Sequence, residues 1–217
     1  MKLISNFRKF AGMTRSRQIQ WLMFKHDRLL TATIRGRRLQ RCGTKTIVQA
    51  PLFWTPEYIE LGSQVFIWSG ARIEGIDEHA GVRYAPNIII GNGVSIHQNC
   101  HITAANTLII GENTTVLLNV VITDIDHGYE MLGVSVQHQP LSVRQTRIGR
   151  NCFIGAGARI LAGTIMGNQC IIGTNSVVRG IFPDNCVVTG NPAKISKRLD
   201  IITGQWRKAN AEGNFLE

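Results

Sequence analysis

A six-residue beat of large aliphatic side chains runs through this chain and restricts its architecture more than any other feature. Stepping by six from Leu61 gives Ile67 and Ile73; from Ile90, Ile96 and Ile102; from Ile110, Val116 and Ile122; from Ile148, Ile154 and Ile160; from Met166, Ile172 and Val178. A glycine follows the first beat of each triplet: Gly62, Gly91, Gly111, Gly149 and Gly167. A period of six matches neither the helical repeat nor the two-residue alternation of a strand. It fits an extended chain that turns a corner every six residues and points each beat inward. Three such sides close one coil, and successive coils pair as parallel strands about 4.8 Å apart. A single coil cannot bury its own apolar face, so several must stack.

Four residues after most beats stands a small or short side chain, as the tight space inside a corner requires: Val65, Ala71, Val94, Cys100, Thr114, Val120, Cys152, Ala158, Thr164, Cys170 and Ser176. The rule breaks at Asp77, Asn106, Asp126 and Phe182, each time after a third beat. In the first three cases an insertion follows, of eleven, two and twenty residues. The solenoid is therefore expected to throw its loops from one edge. A twenty-residue polar insertion on a rigid scaffold usually carries function.

At 217 residues and 44% hydrophobic content the chain supports one domain with a real core. Five cysteines without paired spacing, three of them (Cys100, Cys152, Cys170) in small-residue slots, read as packing thiols of a reducing compartment. No apolar core of a signal peptide and no membrane-length apolar run is present, so a cytoplasmic location is expected.

The formal charge of +10 is concentrated in residues 1–45, where Asp27 is the only acid. Interleaved Phe7, Phe10, Ile19, Trp21, Leu22, Met23, Phe24, Leu29 and Leu30 make residues 1–41 a basic, amphipathic, helical segment. It suits the cap of a solenoid end or contact with an anionic membrane face. No groove-reading motif accompanies the charge, so nucleic acid is not an expected partner. At the other end Ile195, Leu199, Ile202 and Trp206 recur at near-helical spacing among Lys197, Arg198, Arg207 and Lys208. That predicts a short C-terminal helix and tail over 195–217, loose beyond Asn210, with the solenoid over 42–194 and its long loop over 123–147.

The segment IGRNCFIGAGARILAGTIMGNQCIIGTNSVV, followed by IFPDNCVVTGNPAK, resembles the bacterial hexapeptide-repeat acetyltransferases. The resemblance extends over about residues 42–208 and is strongest over 88–194. Within that group TDIDHGYE and the ending with Trp206 are most similar to the lipopolysaccharide and exopolysaccharide O-acetyltransferases; maltose, galactoside and xenobiotic acetyltransferases are close relatives. The resemblance implies that this all-β solenoid is a left-handed parallel β-helix, a handedness that periodicity alone does not supply. It also implies a homotrimer, acetyl-CoA as co-substrate in clefts between neighbouring subunits, and no metal.

His127, in the long insertion, matches the catalytic histidine of that family. An imidazole suits the removal of a hydroxyl proton during attack on a thioester. Asp124 and Asp126 flank it and are expected near the acceptor or as partners that orient its ring. His97 stands where the sugar acetyltransferases carry an acceptor-binding Asn. Asn119 matches a corner residue and reads as a turn former close to the acceptor. His138 and Arg144, in the loop of His127, are expected to line the cleft. For the cofactor the resemblance implies Phe153 near the catalytic histidine and Gly155 and Ala156 along the thioester and pantetheine arm, with a backbone N–H for the oxyanion. Gly173 and Thr174 follow, then Arg179 and Lys194 towards the nucleotide phosphates. His101 reads as structural; His26 and His79 stand in no special context.

The expected function is direct acetyl transfer from acetyl-CoA to a sugar hydroxyl of a surface polysaccharide (lipopolysaccharide, capsule or exopolysaccharide) or its precursor. The alternative is a small acceptor: a free sugar, a sugar-nucleotide amine or an antibiotic. The basic N-terminal segment suits work at the inner face of the cytoplasmic membrane. Two other classes fit less well. A zinc γ-type carbonic anhydrase would have to use His97, His101 and His127, whose spacing does not resemble that family's. A non-enzymatic scaffold would have no affinity for acetyl-CoA.

Overall fold

The computed structural model describes residues 10–216. The beats stack in register. On the first face Cys42, Leu61, Ile90, Ile110, Ile148, Met166 and Phe182 form one ladder of parallel strand partners. On the second face the ladder is Val48, Ile67, Ile96, Val116, Ile154, Ile172 and Val188. On the third it is Trp54, Ile73, Ile102, Ile122, Ile160 and Val178. The chain is thus a parallel β-solenoid of three sheets around one aliphatic core. The small-slot residues are buried with the beats. Each wholly buried Ile or Leu contributes about 1.5–3 kcal/mol relative to exposure.

Two coils lie beyond the five triplets. The first, at Cys42, Val48 and Trp54, is hidden in sequence because its beats are not all aliphatic. The last begins at Phe182. This residue is not a failed small slot but the inward residue of the next coil, reached by a turn two residues short; it pairs with Met166.

The corners are made by left-handed residues. Gly70, Asn99, Asn119, Gly157 and Asn175 form one such column, with φ between +55° and +77°. Glycine and asparagine are the residues that adopt this conformation most readily. A Cβ on Gly157 would lie 2.2 Å from Asn175 Oδ1, so the asparagine side chain of one coil fills the place that a glycine of the coil before it leaves open. Asn119 is therefore a turn former, with φ +59°.

All three insertions leave the edge between the third and first faces. The first carries a short hairpin of Glu78–His79 with Val82–Arg83. The longest rises as an antiparallel pair, Ile125–His127 with Leu141–Val143.

Helix α1, Arg15–Leu30, runs on through a π turn at Thr31–Arg35 and lies over the first coil. Buried Thr31 accepts the Val48 N–H at 2.9 Å and donates to the Asp27 carbonyl at 2.8 Å, while Arg35 binds Asp27 at 2.9 Å. Phe24 stacks on Phe66 with ring centroids 5.8 Å apart. The open end of the solenoid is thereby covered. Ile19, Leu22, Met23 and Leu29 remain exposed. Among the described residues no helix is long and apolar enough to cross a membrane. The expected N-terminal segment begins in residues 1–9, which lie outside the described residues.

The C-terminal helix is not formed. Ala193–Asp200 runs antiparallel to Cys186–Gly190, and Gln205–Lys208 pairs back on it. The free edge of the second sheet would leave its N–H and C=O groups unpaired, and two further strands satisfy them. Ala193 and Ile195 point in and Lys194 out, a strand alternation that outweighs the weaker helical spacing, and Gly204 turns the chain at φ +69°. The second sheet thus runs on past residue 194 in antiparallel strands, and the tail is tied back: the Leu216 N–H donates to the Lys208 carbonyl at 3.0 Å and Arg207 lies over the Phe215 ring.

Candidate functional site

His127 stands exposed at the end of its strand, opposite Leu141. Three devices hold this hairpin. Gln139, buried in the loop, accepts the Met131 N–H at 2.9 Å and donates to the Met131 and Val134 carbonyls. Thr146 donates to the Thr123 carbonyl at 2.9 Å. Tyr84, from the first insertion, accepts the Leu141 N–H at 2.8 Å through its hydroxyl oxygen. Two loops far apart in sequence are therefore one unit.

The same packing brings His79 to His127, ring centroids 5.8 Å apart and edge to face. Both line a cleft of about 410 Å³ on the outer side of the third face, with His101, Thr103, Thr123 and Leu141 among its walls. Burial first, then the Arg72 guanidinium, lowers the His101 pKa. The His79 Nε2 is buried and has no hydrogen-bond partner among the described residues. Sequence reasoning had given His79 no context and His101 only a structural one. The one available signal for His79 was its place in an insertion at the same edge as His127.

The flanking carboxylates do not orient the His127 ring. Asp124 is wholly buried, and its two oxygens accept the Ala105 and Asn106 N–H groups at 2.9 Å each. Burial raises its pKa against the lowering by these amides. Expected near the acceptor, it instead staples the preceding coil to the base of the long insertion. Asp126 is bound bidentately by Arg179, at 2.7 and 2.9 Å, with Arg144 at 4.0 Å. The Arg179 hydrogen bonds are the main reason that the Asp126 pKa is lowered. Arg179 is thus engaged beside His127 rather than standing free for a phosphate. His138 lies exposed in a short 3-10 turn and is not part of the cleft wall.

The remaining candidates gather elsewhere, around the edge between the second and third faces. The residue after each second-face beat stacks there: Trp68, His97, Leu117, Gly155 and Gly173. The column is bulky in the early coils and bare in the later ones. Phe153 projects outward from the second face, 45% exposed. Gly155 is buried, and its N–H is already given to the Ile172 carbonyl at 2.9 Å. A Cβ there would lie 2.6 Å from that oxygen, so stacking of the coils is what requires this glycine. The amides of Ala156 and Thr174, by contrast, have no hydrogen-bond partner among the described residues. They sit one coil apart at the same corner. Lys194 is exposed opposite Thr189, one coil further on.

Residues 145–180 match the family described as bacterial transferase hexapeptide (six repeats). WbbJ of Escherichia coli K12, named for O-acetyl transfer in lipopolysaccharide biosynthesis, is 33% identical over 129 residues, covering 56% of this chain and 66% of its own. A Mycobacterium tuberculosis protein named as an acetyltransferase is 28% identical over 161 residues, covering 73% of this chain and 50% of its own. The chain thus spans half to just under two thirds of the length of these relatives. Among solved structures, an N-acyltransferase from Bacillus cereus in complex with dTDP and coenzyme A superimposes with a TM-score of 0.62 at 14% identity, over 74% of this chain and 84% of that one. A hexapeptide-repeat acetyltransferase from Vibrio cholerae gives 0.53 at 21% identity, over 80% of this chain and 82% of that one. Both share the fold.

Proposed function

We propose that this member of the bacterial hexapeptide-repeat transferases is an acetyl-CoA-dependent O-acetyltransferase whose acceptor is a sugar hydroxyl of a surface polysaccharide or its precursor. The observation that carries the reading is His127, an exposed imidazole held on a braced hairpin at the wall of a cleft. Similarity to WbbJ supports the choice of oxygen acceptor and glycan.

In this reading His127 takes the proton of the acceptor hydroxyl as its oxygen attacks the thioester carbonyl. The tetrahedral oxyanion needs a donor, and the unpaired Ala156 N–H is the amide best placed to serve. Collapse breaks the carbon–sulfur bond, and the imidazolium returns the proton to the departing sulfur. Thr174 and Lys194 continue along the same corner and suit the pantetheine arm and the phosphates. The Asp126–Arg179 pair fixes the foot of the His127 strand, and Arg144 adds a second cation there. His97 contacts the acceptor.

His127 rises from one edge of the third face, and Ala156 and Thr174 lie at the other. A neighbouring copy whose second edge meets this His127 would complete the site, an arrangement that a homotrimer supplies; that the coils are left-handed rests on the likeness to the hexapeptide-repeat transferases. The exposed apolar residues of α1, set among arginines, suit peripheral contact with an anionic membrane.

The test is a screen of acceptors with acetyl-CoA, reading CoA release. Transfer to lipid-linked or polymeric glycans supports the reading. Transfer only to a small amine or an antibiotic overturns it.

A further inference from the structure

A second hollow, of about 350 Å³, lies between α1 and the second face. Its walls include three aromatic rings, Phe24, Phe66 and Trp68, and three amide side chains, Gln20, Gln49 and Gln98. The rings form a continuous strip: Phe24 stacks on Phe66 at 5.8 Å, Phe66 meets Trp68 edge-on at 4.7 Å, and Trp68 reaches His97 at 5.7 Å. Among the described residues none that lines it is charged, although the chain carries a net +10. An anion would find better hosts elsewhere on this surface. The Trp68 Nε1–H is buried and has no acceptor among the described residues, whereas a buried indole N–H ordinarily has one.

Aromatic faces flanked by neutral amides and a spare N–H match one ligand chemistry in particular, a pyranose. Its axial C–H face packs on a ring while its hydroxyls exchange hydrogen bonds with amides. The position adds to the match. Trp68 belongs to the corner column that continues through His97 to Gly155, and Gln98 to the adjoining one that continues through Leu118 to Ala156. One coil advances about 4.8 Å, so the hollow begins about one sugar unit from His97.

We propose that this hollow is a subsite for a neutral sugar adjoining the one that is acetylated, so that the enzyme's acceptor is an oligosaccharide rather than a monosaccharide. The proposal rests on the O-acetyltransferase reading and on His97 as an acceptor contact. The helix α1 is then more than a cap: through Gln20 and Phe24 it forms part of the acceptor wall.

The experiment compares acetyl transfer to neutral gluco-, galacto- and rhamno-oligosaccharides of one, two and three units. It uses the full chain and its Trp68→Ala and Gln49→Ala variants, with the indole N–H NMR signal of Trp68 followed as unacetylated oligosaccharide is added. In at least one series the wild type should prefer the disaccharide to the monosaccharide by about ten-fold in kcat/KM. Trp68→Ala should erase that ratio while keeping most of the monosaccharide rate, and Gln49→Ala should reduce it. The Trp68 signal should shift with oligosaccharide before any acetyl-CoA is present. Equal use of all lengths by the wild type, with an unmoved Trp68 signal, overturns the subsite and leaves the transferase reading intact. So does a Trp68→Ala variant that loses its oligomeric state and every acceptor alike, because the hollow would then belong to a contact between copies. Absence of transfer to these sugars and to lipid-linked and polymeric glycans alike, with acetyl-CoA bound, overturns the transferase reading instead, while the NMR shift still reports on the hollow by itself.

Discussion

Replacing Asp124 by Ala separates a structural role from a substrate-binding one at a residue only three positions from His127. In the structure the carboxylate is wholly buried and accepts two backbone N–H groups at 2.9 Å. Ala105 is buried, so truncation strands its amide at a cost of about 1–3 kcal/mol. Asn106 lies at the surface, where water can replace the lost oxygen, and the loss there is nearer 1 kcal/mol. The sum, about 2–4 kcal/mol, corresponds to a fall in Tm of about 4–16 °C for a chain of this length. Asp124→Asn keeps one acceptor and should fall between the wild type and the alanine variant. Thermal unfolding followed by circular dichroism reads the first quantity. Steady-state acetyl transfer, well below the transition, reads the second and should show an acceptor KM within about two-fold of wild type. If Asp124→Ala kept its Tm within about 2 °C and raised the acceptor KM ten-fold, the carboxylate would be a substrate contact and its assignment as a staple would be wrong.

Three further outcomes follow from the site. Tyr84→Phe leaves the Leu141 N–H without its acceptor, so hydrogen exchange at Leu141 should speed up by about 5- to 100-fold and kcat should fall while the KM for acetyl-CoA holds; unchanged exchange would remove Tyr84 from the account. Arg179 depresses the Asp126 pKa, so the stabilisation it brings is present above the unfolded carboxylate value of about 3.9 and is lost as pH falls through the folded value. The Tm difference between wild type and Asp126→Asn should therefore be present at pH 7 and shrink as pH falls below the unfolded carboxylate value and through the lowered folded one, and a difference that grew on acidification would contradict the pairing. Gly155→Ala would force a Cβ to within 2.6 Å of the Ile172 carbonyl oxygen, so Tm should drop by several degrees, equivalent to about 1–3 kcal/mol; an unchanged Tm would show that the coils can yield.

The coils were legible in sequence because each inward position demands a large aliphatic side chain and each corner a small one. That double constraint repeats with little noise from Leu61 to Val178, and the loops were assigned to the correct edge from its interruptions alone. The first coil, with Cys42 and Trp54 at its beats, lacked the aliphatic signature. The C-terminal segment misled for a different reason. Ile195 and Leu199 are four apart, a spacing that a helix and an alternating strand share, and only the unpaired sheet edge decides between them. The surroundings of His127 were the least legible. The His79 and Tyr84 contacts join two loops more than forty residues apart in the chain. The Asp126–Arg179 pair bridges coils, and nothing in the local sequence marks either partner.

The central claim is that His127 is the general base of an acetyl transfer. Its most direct test is the rate of CoA release from acetyl-CoA with a saturating glycan acceptor, for wild type and His127→Ala. The side chain is exposed and makes no hydrogen bond within the described residues, so the variant should keep its fold, its Tm and its affinity for acetyl-CoA. The account predicts a fall in kcat of about 10²- to 10⁴-fold. A variant that folds normally and retains most of the wild-type rate would contradict it.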